Sequence, residues 1–286
     1  MSLALRAHVH ELAETIGERN LWQPGTLTRA AVYITEAFAK AGYSPGAQEY
    51  DVQGRSVANV EAVLRGTSDP ESLIVVGAHY DTVMGCPGAN DNATGVAATL
   101  ELARRFAATP RRRTIRFVAF ANEEPPFFQT PSMGSVVYAE ASKRRGDGIR
   151  AMLSLETIGY YSDAPGSQQY PPPLNLLFPD VGNFIGFVSN LASARLLRTA
   201  QRAFKERTPF PIYAAPAPES VAGVGWSDQW AFWRAGYQAL MVTDTAPYRY
   251  PWYHTPDDTP DKIDFERFAQ VVDGLEHVIH SLAGGS

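Results

Sequence analysis

The sequence predicts an α/β fold: a three-layer α/β/α sandwich around a central mixed, mostly parallel sheet. Two observations predict it. Strand-like apolar runs alternate with amphipathic helical stretches along the whole chain. Several of those runs, such as LIVVGA at 73–78, are apolar at consecutive rather than alternate positions, as strands covered on both faces are. With 286 residues, 45% of them apolar, the chain can bury one large core, and it reads as a single domain over residues 1–286.

Two helices open the chain, over 3–19 and 26–42. The second sets Ala30, Ile34, Phe38 and Ala41 near one face and stops at Gly42. Strands are expected over 57–64 and 73–78, a helix over 93–108, and a strand over 114–121. A helix over 134–145 and strands over 151–155 and 174–178 follow. Helices over 192–207 and 227–235, a strand over 238–243 and a helix over 264–282 complete the pattern. Proline gathers in Pro171 to Pro173 and in 209–218. These read as surface loops rather than linkers, because strand or helix patterns resume directly after each.

The formal net charge of -5 gives no footprint for nucleic acid, and the one dense basic run, Arg111 to Arg113, fits a solvated turn before a strand. Cys86 is the only cysteine, so no intrachain disulfide can form. The opening MSLALRAHVHELAE lacks the pattern of a signal peptide, and no apolar run approaches the ~20 residues of a membrane span. The expectation is a soluble protein with no membrane partner. The compartment stays open, with the cytoplasm slightly favoured. There is no H-E-x-x-H helix, G-x-S-x-G elbow or phosphate loop, so three common enzyme classes lack their signatures.

Ionisable residues gather where strands end. LIVVGA runs into His79 and Asp81, TIRFVAFA into Glu123 and Glu124, AMLSL into Glu156, and ALMVTDT leads to a loop holding His254. Asp91 sits in GANDNATG, a tight loop opening the next helix. The carboxyl edge of an α/β sheet is where ligands bind. Imidazole with carboxylate suits Zn²⁺, and the absence of thiolates argues against a purely structural zinc. Neighbouring residues at a strand end point opposite ways, so the pair Glu123 and Glu124 can supply one ligand and one general base. Two solvated loop charges fit the same pair.

In this order, HYDTV, GANDNATG, FANEEPPF, SLETIGY and WYHTPDD resemble the motifs of the dizinc aminopeptidase family. Its superfamily also contains glutamate carboxypeptidases and glutaminyl cyclases. The resemblance spans roughly residues 56–282 and implies a single zinc-dependent exopeptidase domain acting on peptides. It implies that Asp91 bridges two Zn²⁺ ions, that His79 and Glu156 complete one site, and that Glu124 and His254 complete the other. Glu123 is then the general base, serving a metal-activated water at the N-terminal peptide bond, and Asp81 orients the His79 ring. A cis peptide from Asp91 to Asn92 is implied as well.

The chain departs from the family at two positions: aspartate is usual where it has Glu156, and histidine is common where it has Gln229. The longer Glu156 makes one ion the alternative to two, and Gln229 receives no role. Among Phe127, Phe128, Tyr160, Tyr161, Trp252 and Tyr253, the residues assigned to a substrate pocket are Phe128, Tyr160, Tyr161 and Tyr253, with ordinary core packing as the other reading. Two further functions remain open: a one-zinc acyltransferase of the glutaminyl cyclase kind, and a non-catalytic binding domain on the same fold. The oligomeric state is not legible.

Overall fold

The protein is described by a computed structural model covering residues 2–172 and 174–284, so Pro173 of the first proline cluster lies outside the described residues. Helix α1 (Ser2–His10) continues as a π-helical turn, Glu11–Ile16, and stops at Gly17. Helix α2 (Thr26–Lys40) buries Leu27, Ala30, Ile34 and Phe38, the stripe its spacing predicts. The remaining helices are α3 (Gly95–Phe106), α4 (Gly134–Arg145), α5 (Ala194–Arg207), α6 (Gln229–Ala235) and α7 (Phe265–Ala283). Among the described residues, no helix is long and apolar enough to cross a membrane.

Eight strands form one sheet: β1 (Gly46–Val52), β2 (Arg55–Leu64), β3 (Asp69–His79), β4 (Arg113–Phe120), β5 (Gly148–Glu156), β6 (Ile185–Ser189), β7 (Ile212–Pro216) and β8 (Ala239–Thr243). Their order is β1-β2-β4-β3-β5-β8-β6-β7. Four pairings are parallel and three antiparallel, so the sheet is mixed as expected. The central block β4-β3-β5-β8 is wholly parallel. After β3 the chain adds β4 on one side and returns to add β5 on the other, which places a topological switch point at the carboxyl end of β3.

Alternation along the strands separates two apolar layers. Ile74, Val76 and Ala78 of β3 pack with residues of α1, α2, α3, α5 and α7, whereas Leu73 and Val75 face α4 and α6. At the base of the site, a Cβ on Gly95 would lie 2.3 Å from the Leu155 carbonyl oxygen, so only glycine lets the start of α3 approach the end of β5 this closely.

Two expectations need correction. The strand predicted over 174–178 is instead a 3-10 turn, Leu174–Leu176. Leu176 and Leu177 are 81% and 71% exposed, and among the described residues this run pairs with no strand. Strands β1, β6 and β7 were absent from the expected set: β1 is mostly polar and lies at an edge, while β6 and β7 span only five residues each.

Candidate metal centre

His79 is the last residue of β3 and Glu156 the last of β5. Beyond β4, Asn122 takes φ 58° and turns the chain so that Glu123 and Glu124 follow immediately, both buried. Thr157 and His254 also adopt left-handed φ values, of 45° and 57°. Such conformations cost roughly 1–3 kcal/mol each and persist where the surroundings enforce them. Asp91 lies in the loop before α3, and its peptide to Asn92 is cis, as the resemblance implies.

These side chains converge. His79 Nε2 lies 3.2 Å from Asp91 Oδ1 and 3.3 Å from Glu156 Oε2. His254 Nε2 lies 3.1 Å from Asp91 Oδ2 and 3.3 Å from Glu124 Oε1. Asp91 thus offers one oxygen to each of two groups, His79–Asp91–Glu156 and Asp91–Glu124–His254, whose ligand atoms lie within 4.8 Å of one another. Glu123 Oε2 stands 3.9 Å from His79 Nε2.

Around this constellation are the groups that hold it. His79 Nδ1 lies 3.2 Å from the backbone oxygen of Asp81 and 3.6 Å from its carboxylate. That carboxylate also accepts hydrogen bonds from the backbone N–H groups of Glu123 and Glu124, each at 3.0 Å, and so joins the ends of β3 and β4. Asp258 accepts from the N–H groups of Asn90 and Asp91 and from the Tyr250 hydroxyl. Asp244 accepts from the Asn90 side chain and the Tyr160 N–H. The fully buried Arg19 guanidinium donates to the carbonyls of Tyr80, Pro87 and Gly88, and to those of Leu12 and Gly17, tying the amino-terminal helices to the loop between His79 and Asp91.

Sequence reasoning missed Asp244, Asp258 and Arg19. Asp244 follows the strand run ALMVT and Asp258 stands in WYHTPDD, so residue type and place were visible, but neither tells a ligand from a carboxylate that holds a loop. No local pattern marks Arg19.

Electrostatics favour a cation at this point. Burial opposes charge on His79, yet Glu156 and Glu123 outweigh it and raise the ring's pKa well above the usual value. Burial likewise opposes charge on His254, but Asp91 and Glu124 push it up to about 10. Burial raises Glu123 well above the carboxylate range, aided by the charges of Glu124 and Glu156 and opposed by His79. Burial and the Asp91 charge push Glu124 up to about 7. Buried carboxylates therefore crowd two imidazoles, and the mutually facing atoms His79 Nε2, Asp91 Oδ1, Glu124 Oε1 and His254 Nε2 have no hydrogen-bond partners among the described residues. An oxygen- and nitrogen-rich donor set with orphaned atoms aimed inward fits divalent metal.

Of the four aromatic residues expected in the pocket, Tyr253 lines the cleft that opens beside Glu156. Its ring also stacks on His254, with centroids 3.8 Å apart. Tyr160 packs against Tyr250 and Trp252. Tyr161 is buried, edge-on to Phe210, and its hydroxyl donates to the Ile158 carbonyl. Phe128 is half-buried beside the turn after Glu124. The cleft has a cavity volume of about 100 Å³, and its walls include Phe187, Ala215, Val224, Trp226 and Met241. Gln229 is buried in α6, donating to the Val224 carbonyl.

The chain is 36% identical over 286 residues to a protein described as uncharacterized protein YfbL of Escherichia coli strain K12, covering 97% of this chain and 87% of that one. Proteins described as probable zinc metalloproteases of Pyrenophora teres f. teres and Pyricularia oryzae are 35% and 36% identical over 123 and 120 residues, covering 40% and 39% of this chain and 25% and 23% of theirs. The zinc aminopeptidase BSAP of Bacillus subtilis has the same fold, with a TM-score of 0.81 at 14% identity over 99% of this chain and 95% of that one. Fimbriiglobus ruber glutaminyl cyclase gives a TM-score of 0.70 at 20% identity over 98% and 95%. Residues 59–279 match Peptidase family M28, a span that holds all five motifs, and the chain belongs to that family of metallopeptidases.

Proposed function

We propose that this chain is a zinc-dependent aminopeptidase hydrolysing the N-terminal peptide bond of peptides, with Glu123 as general base. The observation that carries the reading is the pair of ligand groups sharing Asp91, with Glu123 Oε2 3.9 Å from His79 Nε2 and grouped with His79 and Glu124 rather than with Asp91. His79, Asp91 and Glu156 would hold one Zn²⁺, and Asp91, Glu124 and His254 a second. Bound Zn²⁺ supplies a water that ionises near neutral pH and polarises the scissile carbonyl.

The chain's own residues do the rest. Glu123 takes the water's proton at its carboxylate and returns one to the departing amine. Its buried position keeps that carboxylate from the solvating water that would hold it fully ionised. Asp81 fixes both Glu123 and His79, because one carboxylate serves the Glu123 N–H and lies against the imidazole. The surplus of carboxylates attracts a free α-ammonium group. The cleft beside Glu156 is mostly apolar and receives the first side chain, favouring large hydrophobic residues.

Replacing Glu123 by glutamine is expected to lower turnover of aminoacyl chromogenic substrates by about 10² to 10⁴-fold, with metal content unchanged. Retained turnover would remove Glu123 from its role. Peptides with an acetylated amino end are expected to resist cleavage. Cyclisation of an N-terminal glutamine without hydrolysis of other substrates would favour the acyltransferase reading.

A further inference from the structure

We infer that the Ser227 hydroxyl is the positioning group that holds Glu156 in place as a ligand, and that it thereby sets how tightly the His79 half of the centre takes its ion. The inference rests on the two-ion reading above. A glutamate has three side-chain torsions to fix before its carboxylate can serve as a ligand, and the structure shows what fixes them here. Ser154 and Glu156 are two residues apart at the end of β5 and share the face that Met152 presents to α6. Ser227 precedes α6 and is fully buried against that face.

The Ser227 Oγ donates to Glu156 Oε2 at 2.6 Å and lies 3.0 Å from Ser154 Oγ. A hydroxyl has one proton. With the Ser227 proton committed to Glu156, Ser154 must donate to Ser227, so the three groups form a directed chain ending on the carboxylate. Its last atom, Oε2, is the one that lies 3.3 Å from His79 Nε2. Asn92 Nδ2 reaches Oε2 only at 3.5 Å, because its closer bond, at 2.8 Å, goes to the Leu155 carbonyl. Ser227 is therefore the short donor that aims Oε2. The other half is built without a counterpart: Glu124 Oε1, which faces His254, has no hydrogen-bond partner among the described residues.

The test is calorimetric titration of Zn²⁺ into metal-free protein, repeated with Co²⁺ and followed by its absorption spectrum. Wild type is expected to take two ions. In Ser227→Ala, one ion should bind as in wild type and the other about 10- to 100-fold more weakly, the range seen when a group orienting a ligand is removed. Ser227→Thr keeps the hydroxyl and should restore the second ion. Two ions at wild-type affinity in folded Ser227→Ala overturn the inference and leave the metal centre standing, as does equal weakening of both. Wild type that takes one ion or none overturns the two-ion reading and the inference with it. Should Ser227→Ala not fold, Ser154→Ala replaces it: weakening confined to one ion supports the chain of donors, and unchanged binding overturns it.

Discussion

His79 leaves the end of a central strand with 1% of its side chain exposed, whereas His254 hangs from a loop with 29% exposed. Both rings face the same Asp91, yet they are held by different means. His79 is fixed from behind by Asp81, and its partner Glu156 by Ser227. His254 is backed by the stacked ring of Tyr253, and its partner Glu124 relies on the backbone bond from its N–H to Asp81. One half is thus an extension of the sheet and the other an attachment to it. The difference teaches how each half is supported: the His79 half by the sheet itself, the His254 half by a loop that leaves its ring partly exposed.

The largest break is at the shared group. Asp91→Ala removes an oxygen from both halves, so metal analysis should find neither ion and turnover should fall to background. Next come the two histidines, each of which should cost one ion. They should differ in what happens without metal. His79→Ala leaves Asp91 and Glu156 buried beside an empty space, which should destabilise the metal-free protein by about 3–5 kcal/mol. His254→Ala also strands buried carboxylates, Asp91 and Glu124, but the space it leaves opens to solvent at a ring 29% exposed, so its cost should be smaller than that of His79→Ala. Urea unfolding of the two metal-free variants measures the gap, and equal losses would erase the distinction between the halves.

A smaller effect tests how Asp91 itself is held. Asp258 accepts from the N–H groups of Asn90 and Asp91 and from Tyr250, and an amide retains one acceptor oxygen for those three donors. Asp258→Asn should weaken both ions together, by about 10- to 100-fold, because the bridging residue shifts for both. Weakening of one ion alone would show that Asp258 serves only its own side.

The contrast between the halves also explains what the sequence made legible. His79, Glu123, Glu124 and Glu156 end continuous apolar runs that became β3, β4 and β5, so burial and chemistry were written side by side. His254 belongs to no such run and was reached through the resemblance of WYHTPDD. The cleft was hidden, because part of its wall comes from β6 and β7, short strands whose composition resembles loops, and part from the turn 174–178, whose apolar residues suggested a strand. Ser227 read only as the start of a helix, since a hydroxyl that bonds a distant carboxylate leaves no spacing in the chain. Residues that act through contacts within one element were visible, and those that act across elements became visible only in the fold.

The cleft opens beside Glu156, on the sheet-borne side, and this yields the smallest expected effect. Ala215 lines it from β7 and is half-buried, so a larger side chain there occupies cleft volume without displacing a core residue. Ala215→Leu adds three carbons to a space otherwise open to the first side chain of a substrate. Each methylene misfit in an apolar pocket is worth roughly 10- to 200-fold in discrimination. At the partly open mouth of this cleft the lower end applies, so kcat/KM for leucyl relative to alanyl substrates should drop about 10-fold. Zinc affinity should stay unchanged in both halves, because β7 supplies no ligand and lies at the far edge of the sheet from β3. A matching loss for both substrates would mean that the first side chain lies elsewhere, and a loss of zinc would mean that the cleft and the sheet-borne half are mechanically one unit.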